Sequence, residues 1–152
     1  MNKTIIAICA VTAISSISGF AIAHSGATGI VKERMELMKD IAGHMKTLGT
    51  MIKGERAFSA EEASVAATMI ASKSENVPEL FPEDSIMEPS EALPAIWEDW
   101  DAFVGLSGDM NTHAKTLAEA AKNANDVTAI RAQFASLAKT CSGCHEDFRK
   151  DK

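Results

Sequence analysis

The residues with the most chemistry in this 152-residue chain stand together near its end, as Cys141-Ser142-Gly143-Cys144-His145. Two thiols three residues apart on a helix share a face, so each can add to a vinyl group of one haem; His145, one turn beyond Cys141, points the same way and can meet the iron. Small Ser142 and Gly143 leave the backbone room to approach a porphyrin edge. Two other chemistries use similar residues. A redox-active Cys-x-x-Cys normally opens a helix after a strand, whereas this pair falls near the end of the last helix of a helical chain. A zinc site wants four ligands, and only three of the right kind are clustered. The expectation is one covalently attached haem c, linked through Cys141 and Cys144 and ligated by His145.

The element that must present these residues is a helix carrying Val127, Ile130, Phe134, Leu137, Cys141, Cys144 and Phe148 on one inward face. Three more helices precede it. The first is expected from about Ile30 to Ile52, with Val31, Met35, Met38, Ile41, Ala42, Met45, Leu48 and Ile52 on one face and Lys53-Gly54 as its stop. The second begins at Ser59, where Ser59-Ala-Glu-Glu62 reads as a capping box, and continues through Val65, Met69 and Ile70 to about Glu75. The third is opened by Leu93-Pro94 and carries Ile96, Trp97, Trp100, Val104, Ala114, Leu117 and Ala121 inward, with Gly105 and Gly108 weakening its middle. All four prolines, Pro78, Pro82, Pro89 and Pro94, fall in one stretch, no segment alternates like a strand, and tyrosine is absent. The fold expected is all-α, an up-down-up-down antiparallel four-helix bundle with one covalently bound haem. Its second connection is long, roughly 17 residues, as functional loops tend to be.

What faces the iron opposite His145 decides between carrying electrons and binding gases. In such a bundle the start of the first helix lies beside the end of the last, and Met38 is some 12 Å from that start, matching the height of His145. A methionine thioether opposite histidine tends to raise the reduction potential. The bland reading is that Met38 is core, as methionines on apolar stripes usually are. Met45 and Met51 carry that bland reading, about 10 Å and 20 Å further along. Met35, about 4.5 Å from Met38, and Met87 in the long loop remain rivals. His44 is about 9 Å beyond Met38, and His24 and His113 read as boundary or surface side chains.

With these residues in view, the chain resembles the class II c-type cytochromes, the cytochrome c prime family, from about Val31 to Arg149. The likeness rests on Cys141-Ser-Gly-Cys-His-Glu-Asp-Phe-Arg149, on Arg34-Met-Glu-Leu-Met38-Lys-Asp40 and on Pro94-Ala-Ile-Trp97. It implies that Met38 occupies the position facing the iron. Members with a bulky apolar residue there are five-coordinate and bind nitric oxide or carbon monoxide; those with methionine are low-spin electron carriers, and Leu80-Phe81-Pro82 is also similar to that branch. The resemblance further implies Arg34 near a haem propionate, Arg149 near the proximal histidine and Trp97 in the haem pocket, although solvated arginines and a core tryptophan give the same pattern.

The remaining sequence bounds location and partners. Lys3, an apolar run from Thr4 to about Ile17 and Ala21-Ile22-Ala23 read as a cleaved signal peptide over residues 1–23, leaving residues 24–152 as one domain. Ser15, Ser16, Ser18 and Gly19 interrupt the run, which is short for a membrane span, and Cys9 is discarded with it. Export to the periplasm follows, with no membrane span after cleavage. Lys3 is the only charge removed, so 14 basic residues face 21 acidic ones, a balance of −7 that argues against nucleic acid and permits steering toward a basic partner. The partners expected are periplasmic redox proteins, and the resemblance implies a homodimer through the first two helices as an option that their Lys, Glu and Ser outer faces do not settle. No distal His/Arg pair marks a peroxidase, so a non-enzymatic role is expected. The leading reading is a one-electron carrier; the alternative is a five-coordinate protein that binds nitric oxide or carbon monoxide.

Overall fold

The helix signals translate, in a computed structural model that describes residues 26–151, into α1 (Gly29–Ile52), α2 (Ala60–Ser74), α3 (Ala95–Glu98), α4 (Trp100–Lys122) and α5 (Arg131–Phe148). Short 3-10 turns cover Pro78–Leu80 and Val127–Ile130. The expected signal peptide and His24 lie outside the described residues. Among the described residues there is no strand, only an isolated antiparallel bridge between Ala92 and Arg149. No helix there is long and apolar enough to cross a membrane.

The helix ends follow local chemistry. Gly54 takes φ +74°, a left-handed conformation that costs glycine little, and lets Gly54 N–H donate to Met51 O and Glu55 N–H to Thr50 O. Ser59 caps α2 by accepting from Glu62 N–H at 3.2 Å. The reciprocal half of the expected capping box is not formed, because the Glu62 carboxylate pairs with Arg56 instead. Asp126 similarly accepts from Thr128 N–H at the start of the last helical segment.

The third predicted helix is two helices. Asp99, at φ −132° and ψ 63°, breaks it, and its carboxylate accepts from Ala102 N–H to start α4 afresh. The break turns the face that was expected to be buried. Trp100 and Val104 are each 37 % exposed, whereas Phe103, Ser107, Met110, Ala114, Leu117 and Ala121 point inward. Gly105 and Gly108 do not interrupt α4, which runs unbroken through both.

Small side chains set the seam between α2 and α4, the most extensive helix pair in the bundle. Ala63, Ala66, Ala67, Ala71 and Ser74 are buried on α2, which brings polar groups of one helix onto carbonyls of the other. Ser64 Oγ donates to Ala118 O, Ser107 Oγ to Ser74 O and Asn111 Nδ2 to Ala71 O. The larger Val65 and Met69 are left on the outer face of α2. On α1, Ala42 is exposed, while Val31, Arg34, Ile41 and Leu48 are buried and Met38, Met45 and Ile52 pack partly buried against the core. These positions step by three and four alternately, the spacing of a helix seam, and one of them is an arginine.

Candidate functional site

Cys141 and Cys144 lie on α5, half-buried and packed against the hydrophobic core, as the stripe from Val127 to Phe148 requires. Both are free thiols, and Cys141 Sγ donates to Leu137 O. Burial pushes the Cys141 thiol above its ordinary range. Burial, then Cys141 and Asp147, push Cys144 up to about 11. A thiol that works by disulfide exchange needs the opposite shift, so the environment does not suit a thioredoxin-like dithiol. Nor, among the described residues, do three His, Cys, Asp or Glu side chains gather as a metal cluster of their own. His145 stands one residue further along α5, on its solvent-exposed last turn. Opposite the cysteine segment, Leu106 of α4 is the nearest neighbour to Gly143, and even an added Cβ would meet it only at ordinary contact distance, 3.9 Å.

Arg34 is the most unusual residue of this end. It sits in the apolar seam of α1, one turn before Met38, and is only 4 % exposed. Its Nε donates to Leu80 O, its Nη2 donates to Ser85 Oγ, and its guanidinium lies 4.3 Å above the Phe81 ring. Nη1 is buried with no partner among the described residues, and burial lowers the pKa of the group. A buried guanidinium with a spare donor is suited to an anionic acceptor, which a haem propionate would be.

The long loop is pinned from two helices at consecutive peptides. Arg34 of α1 holds the Leu80 carbonyl, and Trp97 Nε1 of α3 donates to the Phe81 carbonyl at 3.0 Å. Aromatic rings link this point to α5. Phe81 meets Phe103 edge-on with centroids 4.9 Å apart, and Phe103 meets Phe148 edge-on at 5.5 Å. The end of the loop is then strapped to the end of the chain. Leu93 N–H donates to Phe148 O, Lys150 N–H donates to Glu91 O, and Arg149 and Lys150 pair with Glu91 and Glu88.

The structure thus gathers Arg34, Trp97 and the last turn of α5 at one end of the bundle, joined through Phe81 and Phe103. Met38 follows Arg34 by one turn on α1 and is half-buried against the hydrophobic core. Met35 is half-buried but not among the side chains packed on that cluster, and Met87 is 57 % exposed in the loop. Arg149 leaves the helix in extended conformation and turns toward Glu91. An open depression of about 390 Å³ lies beside Trp97, lined also by Glu83, Asp84, Ile86 and Pro94, and it takes in none of the cysteines, His145 or Met38. Sequence reasoning missed Ser85 and Phe103, and named Phe81 only within the family-like Leu80-Phe81-Pro82. The available signal was Arg34 itself, since an arginine at a seam position needs acceptors from a neighbouring segment.

A sequence profile described as Cytochrome C′ matches residues 29–149. Cytochrome c′ of Rhodopseudomonas palustris is 32 % identical over 136 residues, 89 % of each chain. Cytochrome c-556 of Agrobacterium fabrum is 33 % identical, over 83 % of this chain and 84 % of that one. Among solved structures, cytochrome c′ from Rhodopseudomonas palustris superposes with a TM-score of 0.76 at 29 % identity, covering 83 % of this chain and 99 % of that one. A nitric oxide complex of a mutant cytochrome c prime from Alcaligenes xylosoxidans shares the fold, with a TM-score of 0.71 at 24 % identity over 80 % of this chain and 94 % of that one.

Proposed function

The chain belongs to the cytochrome c′ family of class II c-type cytochromes, which bind one covalently attached haem c, and from that premise we propose that it is a periplasmic one-electron carrier with His145 and Met38 as axial ligands. Bound haem supplies an iron that cycles between ferric and ferrous states by one electron. Cys141 and Cys144 would carry the two thioether links, and both pack half-buried against the core from α5. Arg34 offers its spare buried donor to an anionic edge of the group, and Trp97 holds the loop that lies beside it. Two ligands that stay in place in both oxidation states keep reorganisation small, which favours fast transfer. A thioether opposite imidazole also raises the potential.

The observation that carries this reading is the position of Met38 on the α1 seam, one turn beyond buried Arg34, which Phe81 and Phe103 link to the last turn of α5. The test is the visible spectrum of the haem-loaded protein, reduced, with and without carbon monoxide. The native protein should be low-spin and take up the gas only slowly; Met38→Ala should become high-spin and bind it at once. A variant spectrum identical to the native one overturns the assignment.

A second reading has support from the relatives that carry the cytochrome c′ name and from the fold shared with a nitric oxide complex. In it Met38 is a core side chain, the iron keeps an open position, and the protein binds nitric oxide or carbon monoxide. Rapid uptake of carbon monoxide by the native ferrous protein would favour this reading over the first.

A further inference from the structure

The hydroxyl of Ser85 is used twice. It donates to Pro82 O, closing its own turn of the loop, and it accepts from Nη2 of Arg34. Ser85 and Arg34 are both buried, at 6 % and 4 % exposure, so neither bond is shared with solvent. Arg34 in turn holds the Leu80 carbonyl, and Phe81 stacks against its guanidinium. The segment from Leu80 to Ser85 is thereby closed at both ends by one side chain of α1. Arg34 and Met38 are four residues apart and so share a helix face, which sets this clasp within a turn of Met38.

We propose that Ser85 is a positioning residue for the iron site: through Arg34 it latches the Leu80–Ser85 segment within a turn of Met38, so that an outside ligand reaches the iron only when the latch opens. The inference rests on the reading of Met38 as an axial ligand. Three features distinguish the latch from ordinary loop packing. Its acceptor is a hydroxyl with no other duty on α1, its donor is a charged group, and its second anchor, Trp97 Nε1 on the Phe81 carbonyl, comes from a different helix and survives loss of the first. Removing the hydroxyl leaves Arg34 with one held nitrogen where it had two. The loop then opens more often, while Met38 itself is untouched.

The experiment uses haem-loaded full chain carrying Ser85→Ala, Ser85→Thr or Met38→Ala, beside the native protein. Two quantities are read: the methionine-to-iron charge-transfer band of the oxidised form, and the rate of carbon monoxide uptake by the reduced form. Ser85→Ala should retain the band but take up carbon monoxide about tenfold faster or more, the factor expected for loss of a hydrogen bond to a charged group. Ser85→Thr, which keeps the hydroxyl, should restore the native rate. If Ser85→Ala does not accumulate folded, Ser85→Val against Ser85→Thr gives the same contrast, since the two are nearly isosteric and differ in the hydroxyl. Uptake within twofold of native in the variant without the hydroxyl overturns the latch while Met38 ligation stands. An unchanged spectrum in Met38→Ala overturns the ligation and the latch together.

Discussion

The two ends of this bundle are built by different rules. Where α1 and α4 finish and α5 begins, Leu48, Met51, Leu117 and Ile130 are fully buried. At the opposite end, Cys141, Cys144, Leu106 and Met38 are only half-buried, while a guanidinium and the hydroxyls of Ser85 and Ser90 are buried. Burial of hydrocarbon is worth roughly 25 cal/mol per Å² whatever its arrangement, so the first end tolerates variation in detail. The second depends on directed contacts, each of which fails singly if its partner is removed. The proposed site thus occupies the end that depends on directed contacts, and the other end depends on packing.

Substitutions at each end sharpen that division, in descending size of effect. Replacing both Cys141 and Cys144 by serine should release the pigment entirely to acidified organic solvent, whereas the native chain keeps it; pigment retained through both changes would break the assignment of the attachment site. Leu117→Ala at the apolar end should lower unfolding free energy by about 3 kcal/mol, seen as a shift of the urea midpoint. It should leave the visible spectrum alone, and a spectral change would show that the ends are not independent. Ser107→Ala, which removes the bond to Ser74 O across the α2–α4 seam, should cost about 1 kcal/mol in the same assay.

The smallest effect concerns acid. The Asp40 carboxyl is held below its ordinary 3.8 by the hydrogen bond from Lys73 and then by the charge of Lys73. A lowered carboxyl favours the folded state above the ordinary value and loses that contribution as pH falls through the lowered one. Lys73→Ala should therefore slightly reduce stability at neutral pH and leave it unchanged once the carboxyl is protonated in both states, as thermal melts at pH 7 and pH 2 would show. An equal loss at both pH values would mean that Lys73 acts by packing alone.

Much of the bundle was legible because its signals are local. The inward stripe from Val127 to Phe148, the Ser59 cap and the Lys53-Gly54 stop each depend on a few neighbouring residues. The break at Asp99 was legible only in hindsight, since Asp99-Trp-Asp101 fits a helix interior and a fresh N-cap equally well. That ambiguity misdirected Trp100 and Val104. The inward turn of α2 was hidden because close α2–α4 packing favours alanine and serine over the larger Val65 and Met69. Of the proposed site, the attachment motif rests on spacing, Met38 on its height along α1 and on likeness to a family, and Arg34 on that likeness. The partners of Arg34 could not, since Leu80 and Ser85 lie 46 and 51 residues away and nothing local announces them.

The edge-on run of Phe81, Phe103 and Phe148 makes these three rings behave as a gear train. A ring held by an edge at each side cannot turn over without its neighbours giving way, so flips of Phe103 must wait on both of the others. The final α5 turn and the long loop thus share one packing point at Phe103, and a single exchange rate for the aromatic resonances of the three residues is the expected sign that they move together.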